Sequence, residues 1–447
     1  MNILFISLGC DKNLVDSEVM LGILREKGFD FTNDEAEADV IVVNSCCFIN
    51  DAKEESINTI LEMAEYKNSD EARCKALVVT GCLAQRYADE IREEIPEVDA
   101  VVGTTAYDKI AEVLDRVLAG DKVKELQSID ALPLPDTGRI VTTGGYYSYL
   151  KIAEGCNKYC TYCIIPKLRG SYRSVPIERL VNEARVLVEN GARELILVAQ
   201  ETTLYGVDLY GKKSLPKLLK ELAKIEDLKW IRLLYCYPEE ITDELIDTIK
   251  SEPKVCHYID MPIQHASDAV LKRMGRRTNM AELKERIASI RASIPDIALR
   301  TTLISGFPGE TQEDHELLYN FVNETEFDRL GVFTYSPEEN TPAADMPDQV
   351  DEDVKNARRD EIMELQQAIA YERAESMVGR EVEAMVEGRL VEDDTYAART
   401  YMDAPNVDGM LFISSDRELM SGDIVRVRIT GANEYDLTGV ICDESVE

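Results

Sequence analysis

The stretch Glu154-Gly155-Cys156-Asn157-Lys158-Tyr159-Cys160-Thr161-Tyr162-Cys163 carries three cysteines at Cx3Cx2C spacing. One short loop of this kind can fold around a cubane iron–sulfur cluster and give thiolates to three of its irons. Three ligands rather than four leave one iron open, and an open iron can bind a substrate. A structural zinc site takes four protein ligands, and no fourth Cys or His lies nearby in the chain. A chance gathering of core cysteines is the bland alternative, and the spacing weighs against it.

Working outward, residues 149–153 just before this loop read as a strand, and five more apolar runs follow at 194–198, 230–234, 258–262, 298–304 and 330–334. Helical patterns fall between them near 177–189, 216–224, 242–250, 280–293 and 312–323. Six β/α units predict a partial or complete (β/α) barrel of the TIM type, with its site at the carboxyl ends of the strands. A charged helical segment, 351–376, precedes a change of pattern. Short alternating runs at 382–387, 396–400, 410–413, 424–429 and 438–442, separated by Gly and Asp, predict a small antiparallel β-barrel.

Upstream, apolar runs at 3–8, 39–44, 75–80 and 100–102 alternate with helical patterns at 15–27, 53–66, 85–94 and 107–118. That order predicts βαβ units in a parallel, doubly wound α/β domain. The prolines and glycine of 130–138 mark a linker. The expected domains are 1–120, a linker 121–140, a core 141–376 and a barrel 377–447. Cys10, Cys46 and Cys82 each stand two or three residues past a strand of the first domain. That edge of a parallel sheet is where ligands bind, so three loops distant in sequence can converge on one point. Three buried core cysteines are the plain alternative.

The 447 residues carry 85 acids and 50 bases, a formal charge of −35. Such a surface repels phosphate backbones, so nucleic acid could bind only through a local basic patch. No apolar run reaches the roughly 18 residues of a membrane span, and residues 1–6 lack the Lys or Arg of an export signal. A cytoplasmic, reducing setting is expected, in which the 11 cysteines serve as ligands, catalytic thiols or core residues rather than disulfides. Three histidines leave few candidates for a His-based centre.

The Cx3Cx2C loop, with an aromatic residue before its third cysteine, resembles the radical S-adenosylmethionine (SAM) superfamily. The resemblance implies a [4Fe-4S] cluster on Cys156, Cys160 and Cys163 whose open iron chelates SAM. It also implies SAM contacts at Tyr162, near the adenine, at Gln200 and Glu201, near the amino group, and at Gly306, near the adenosyl moiety. Ordinary core packing explains Tyr162 about as well, and a strand-to-helix turn explains Gly306 almost as well. The usual Gly-Gly-Glu of the superfamily is absent at Gln200-Glu201. The basic run Lys167–Arg173 is read either as a partner for a carboxylate of SAM or of the substrate, or as a solvated loop.

Ser7-Leu8-Gly9-Cys10, Asn44-Ser45-Cys46 and Thr80-Gly81-Cys82 resemble the N-terminal domain of the methylthiotransferases. In that family the three cysteines hold a second [4Fe-4S] cluster. Cys47 adjoins Cys46 as an uncertain extra, while Cys74, Cys236, Cys256 and Cys442 read as structural. The resemblance extends to a TRAM-like C-terminal barrel. Residues 13–20, 199–206, 264–267 and 328–339 look like the branch that modifies an aspartate of the small-subunit ribosomal protein twelve. That branch usually has Gln-Asp where this chain has Gln200-Glu201. Residues 379–447 hold 16 acids and 6 arginines, a net of −10, which suits a basic protein substrate better than tRNA. The implied enzyme uses two [4Fe-4S] clusters and two SAM molecules, has no catalytic residues beyond the cluster ligands, and acts as a monomer. It draws electrons from a low-potential donor such as flavodoxin or ferredoxin and binds neither tRNA nor membrane. The competing classes are a tRNA adenosine methylthiotransferase and a non-catalytic iron–sulfur carrier.

Overall fold

Val40–Ser45 and Ala76–Gly81 are buried along their whole length. Strands covered on both faces become unbroken aliphatic runs, and this is the signature of a parallel sheet. In the computed structural model, which describes residues 1–69, 72–135, 138–390 and 394–442, they lie at the centre of a six-stranded sheet. Parts of the expected linker (136–137) and of the expected C-terminal barrel (391–393 and 443–447) lie outside the described residues.

The chain divides into two compact units. The first comprises Met1–Thr142, Ala153–Arg173 and Ser336–Ala344. Its sheet runs, in spatial order, Asp30–Phe31, Asn2–Ser7, Val40–Ser45, Ala76–Gly81, Val98–Val102 and Val123–Glu125, with every pair parallel. The order reverses between Asn2–Ser7 and Val40–Ser45, creating the crevice where such sheets bind ligands. Helices cover both faces, over one core around Ile41, Leu77 and Leu83 and another around Ile3, Val78 and Leu114. Two short edge strands, Asp30–Phe31 and Val123–Glu125, go beyond the sequence expectation. The helix expected at 85–94 is broken into Cys82–Arg86 and Ala88–Glu94, because Tyr87 leaves helical geometry at φ −125° and ψ 38°. The end of the expected linker is tied back, Ile140 N donating to Glu18 O at 3.0 Å, and just beyond it Thr142 N and Oγ1 donate to Glu18 Oε1 at 2.7 and 3.1 Å.

The second unit comprises Thr143–Ile152, Ser174–Tyr335 and Asp345–Glu447. Its six parallel strands, Tyr147–Lys151, Glu194–Val198, Trp230–Leu233, Val255–Asp260, Ala298–Ser305 and Arg329–Thr334, stand side by side in chain order. Each crossover adds its strand on the same side, the winding of a (β/α) barrel left open as a partial barrel. Helix Glu352–Glu375 packs on Arg329–Thr334.

A closed five-stranded barrel follows, built from Glu381–Arg389, Thr395–Thr400, Leu411–Ser414, Ile424–Asn433 and Asp436–Ile441. Four of its seams are antiparallel, and the fifth, Leu411–Ser414 against Asp436–Ile441, is parallel. An odd ring of strands cannot alternate in direction all the way round, so one parallel seam is unavoidable. Within this unit the buried carboxylate of Glu194 is clamped between Arg232 Nε (2.7 Å) from the sheet and Arg399 Nη2 (2.8 Å) from the barrel.

Candidate functional site

Cys10, Cys46 and Cys82 follow three strands that are neighbours in the first sheet. The register pairs Ser7 with Asn44 and Ser45 with Gly81. Cys46 and Cys82 therefore leave the sheet level with one another, about 4.8 Å apart strand to strand. Cys10 caps helix Asp11–Glu26, and Cys82 opens the short helix Cys82–Arg86.

Side chains behind the loops hold them in place. Asn13 Nδ2 donates to the carbonyl of Leu8 (2.7 Å), and Asn44 Nδ2 donates to the carbonyl of Asn13 (2.9 Å). The Ser56 hydroxyl accepts from Cys46 N (2.9 Å) and donates to Cys46 O (2.8 Å). Burial pushes the Cys46 thiol up to about 12, and neighbouring Cys82 and Cys10 add to the rise. Three thiolates so placed repel one another unless a strongly cationic centre lies among them. Cys47 is also buried and pushed up, mainly by loss of solvation and then by Cys82, with Arg86 opposing.

The second triplet lies in the same unit, within Ala153–Arg173. Gly155, at φ +77°, lets the chain turn against the carbonyls of Gly170 and Ser171, in space a Cβ would occupy. Cys156 N donates to Gly170 O (3.1 Å) and Cys163 N to Cys160 O (3.0 Å), closing the loop on itself. Lys158 N donates to Cys156 Sγ at 3.5 Å. Loss of solvation, and then Cys160 and Cys156, push the Cys163 thiol up. Tyr162 is half-buried. The loop is anchored to the sheet by Ile164 and Leu168, which join the core around Ile41 and Leu77.

Both donor sets consist of thiols alone, the soft ligands that suit iron–sulfur clusters. Among the described residues no three His, Cys, Asp or Glu side chains close tightly around a single ion. A four-iron cube is a larger body and takes its ligands further apart.

Within the basic run 167–173 Lys167 is exposed, whereas Arg169 departs from the solvated-loop expectation. Arg169 is neither solvated nor turned outward. Its guanidinium is 2% exposed and pairs with Asp16 (2.8 Å) and Glu154 (3.1 Å). Lys167 donates to the carbonyl of Asn340 (2.7 Å) and Arg173 to that of Arg169 (3.0 Å).

In the second unit, Gln200 and Glu201 follow strand Glu194–Val198, and Gly306 follows Ala298–Ser305. Glu201 is fully buried, and its Oε1 accepts from Thr203 N (2.8 Å) and from the Thr203 hydroxyl. Gly306, at φ +72°, passes against the Lys355 side chain, where a Cβ would clash. Its N–H and that of Phe307 donate to Glu310 Oε2 at 2.8 and 3.0 Å. Arg358 holds the other oxygen at 2.9 Å. Glu310 thus fixes the Gly306 turn. It escaped the sequence reading although it sits four residues beyond the glycine, and the Ser-Gly-Phe-Pro-Gly-Glu run was the available signal.

Three family models match the chain. "Uncharacterized protein family UPF0004" covers residues 2–103, the radical SAM superfamily covers 150–322, and the TRAM domain covers 378–442. A ribosomal protein uS12 methylthiotransferase RimO of Lachnoclostridium phytofermentans is 66% identical over 439 residues, spanning 98% of this chain and 99% of its own. Proteins of the same name from Thermoanaerobacter sp. and Clostridioides difficile are 51% and 50% identical. Both alignments span 98% of this chain, with 99% and 98% of the relatives covered. Among solved structures, the radical SAM methyltransferase TsrM from Kitasatospora setae aligns with TM-score 0.54 at 13% identity, over 88% of this chain and 79% of that one. The cobalamin-dependent SAM radical enzyme OxsB aligns with TM-score 0.52 at 12% identity, over 82% and 56%. These two likenesses are of fold.

Proposed function

Because this chain belongs to the RimO family of ribosomal protein uS12 methylthiotransferases, we propose that it uses two [4Fe-4S] clusters, one on each cysteine triplet, to methylthiolate an aspartate β-carbon of uS12. The observation that carries this reading is that both all-thiol triplets fall within one compact unit. The hydrogen on that β-carbon is scarcely acidic, so acid–base catalysis cannot remove it at a useful rate, whereas a carbon radical lifts the limit. When bound with SAM, the cluster on Cys156, Cys160 and Cys163 supplies the 5′-deoxyadenosyl radical, and the one on Cys10, Cys46 and Cys82 supplies the sulfur.

The remaining work falls to the protein. Asn13, Asn44 and Ser56 hold the first three cysteine loops in register. Ile164 and Leu168 seat the second loop. Tyr162, Gln200, Glu201 and Gly306 contact SAM, with Glu310 holding the Gly306 turn. Residues 1–120 form the sulfur-donating domain, 141–376 the radical core and 377–447 the barrel that recognises substrate. The acidic barrel, −10 over residues 379–447, favours a basic protein over RNA. The enzyme acts in the cytoplasm as a monomer and takes electrons from a flavodoxin- or ferredoxin-like donor. Among the described residues no helix is long and apolar enough to cross a membrane.

Mass spectrometry of ribosomal proteins and tRNA from a deletion strain tests the substrate. Loss of the methylthio increment from uS12 is expected. Its loss from tRNA instead would transfer the assignment to an adenosine substrate.

A further inference from the structure

Arg169 ends the short helix Ile165–Arg169, just after Cys163, yet its side chain reaches the other triplet. Nη1 donates to Asp16 (2.8 Å) and Glu154 (3.1 Å). Nη2 donates to Asn13 Oδ1 (3.1 Å) and to Cys82 Sγ (3.6 Å). All four partners belong to the same unit as Arg169, and the guanidinium is 2% exposed. Asn13 and Asp16 sit on the helix that Cys10 caps, and Glu154 precedes the second triplet.

A buried ion pair that merely staples a loop is the plain reading, and such pairs add little net stability. It does not explain why one arm of the fork is directed at a sulfur. A planar guanidinium holds a permanent charge and aims separate N–H groups at separate targets. Cluster potentials respond to hydrogen bonds on the ligand sulfurs and to local net charge. A fixed cation donating to one ligand sulfur favours the reduced, more negative state of the cluster. Carboxylates close to that cation work in the opposite sense.

We propose that Arg169 is a positioning residue that raises the reduction potential of the cluster on Cys10, Cys46 and Cys82, with Asp16 and Glu154 moderating its charge. The inference rests on the assignment of a cluster to those cysteines. It also couples the two triplets, because the residue that tunes the first is carried on the loop of the second.

The test uses the full chain with Cys156, Cys160 and Cys163 all changed to Ala, so that only the first triplet can load. An EPR-monitored potentiometric titration then compares this background with R169K, R169Q and D16N added singly. The midpoint is expected to fall in R169Q, to fall less in R169K, and to rise in D16N. A structural role alone would alter iron content or thermal stability without moving midpoints in opposite directions. Should R169Q fail to load iron, R169K and D16N still decide the sign. A loaded cluster whose midpoint is the same in every variant overturns this inference and leaves the cluster assignment intact. A background protein that binds no iron overturns the assignment itself, and this inference with it.

Discussion

Gly9 and Cys46 are in contact across two adjacent loops: a Cβ on Gly9 would stand 2.6 Å from the Cβ of Cys46 and 2.8 Å from its sulfur. Gly9 also holds φ +86°, where an L side chain costs about 1–2 kcal/mol. Gly9→Ala should therefore displace Cys46 from the first triplet. Iron per chain is expected to drop from about eight to about four. SAM cleavage should persist while methylthiolation is lost, as read by iron assay and product mass spectrometry.

The triplets should fail in different ways. Changing Cys10, Cys46 and Cys82 together to Ala is expected to abolish methylthiolation and leave 5′-deoxyadenosine formation. Changing Cys156, Cys160 and Cys163 should abolish both. Chromatography of the SAM products decides this, and an undiminished rate of methylthiolation in the first variant would show that the division of labour is wrong.

Glu194 pairs with two arginines that are themselves buried, Arg232 and Arg399, the second of which also pairs with Glu387. Burial by itself would raise the Glu194 carboxyl, but Arg399 and Arg232 outweigh it and hold the group below its ordinary range. Glu194→Ala strands the Arg232 cation in a dry core and leaves Arg399 with Glu387 alone. Breaking such a group costs about 3–5 kcal/mol, to be read as a fall in the denaturation midpoint of the second unit.

Acid should loosen the Gly306 turn. Burial would raise Glu310, but His265, the Phe307 N–H and Arg358 together hold it below its ordinary 4.5. A carboxyl lowered in the folded state contributes stability that is present above 4.5 and lost as the pH falls through its folded value. Glu310→Gln is expected to cost about 2 kcal/mol at neutral pH, a gap that closes as melts are repeated at pH values below 4.5. SAM binding, measured by equilibrium dialysis at neutral pH, should weaken in the same variant.

The acidic barrel predicts a salt effect of definite sign. Capture of purified uS12 by the immobilised enzyme should weaken as ionic strength rises. Transfer RNA should not be retained even at low salt. Salt-sensitive retention of tRNA would reverse the charge argument.

Much of this could be read along the chain. The strands Val40–Ser45 and Ala76–Gly81 announce themselves because burial on both faces leaves no polar alternation. Cysteines placed just past such strands mark a ligand edge wherever the sheet is parallel. Edge strands such as Asp30–Phe31, at two residues, are too short to carry a pattern. The break at Tyr87 has no proline or glycine to signal it. Glu310 reads as an ordinary acid after a turn until its carboxylate is seen to bridge two backbone N–H groups and Arg358.

Local chemistry determined the donor types, their spacing and the parallel character of both sheets, since each depends on neighbours only a few residues apart. The three-dimensional fold decided what those donors meet. Arg169 reads as a surface base because its partner Asp16 lies 153 residues away, and only sheet order and register bring the two together. The same holds for the grouping of both cysteine triplets in one unit and for the parallel seam of the barrel. Contacts across such separations are fixed by how strands pair and close, which no short window of residues contains.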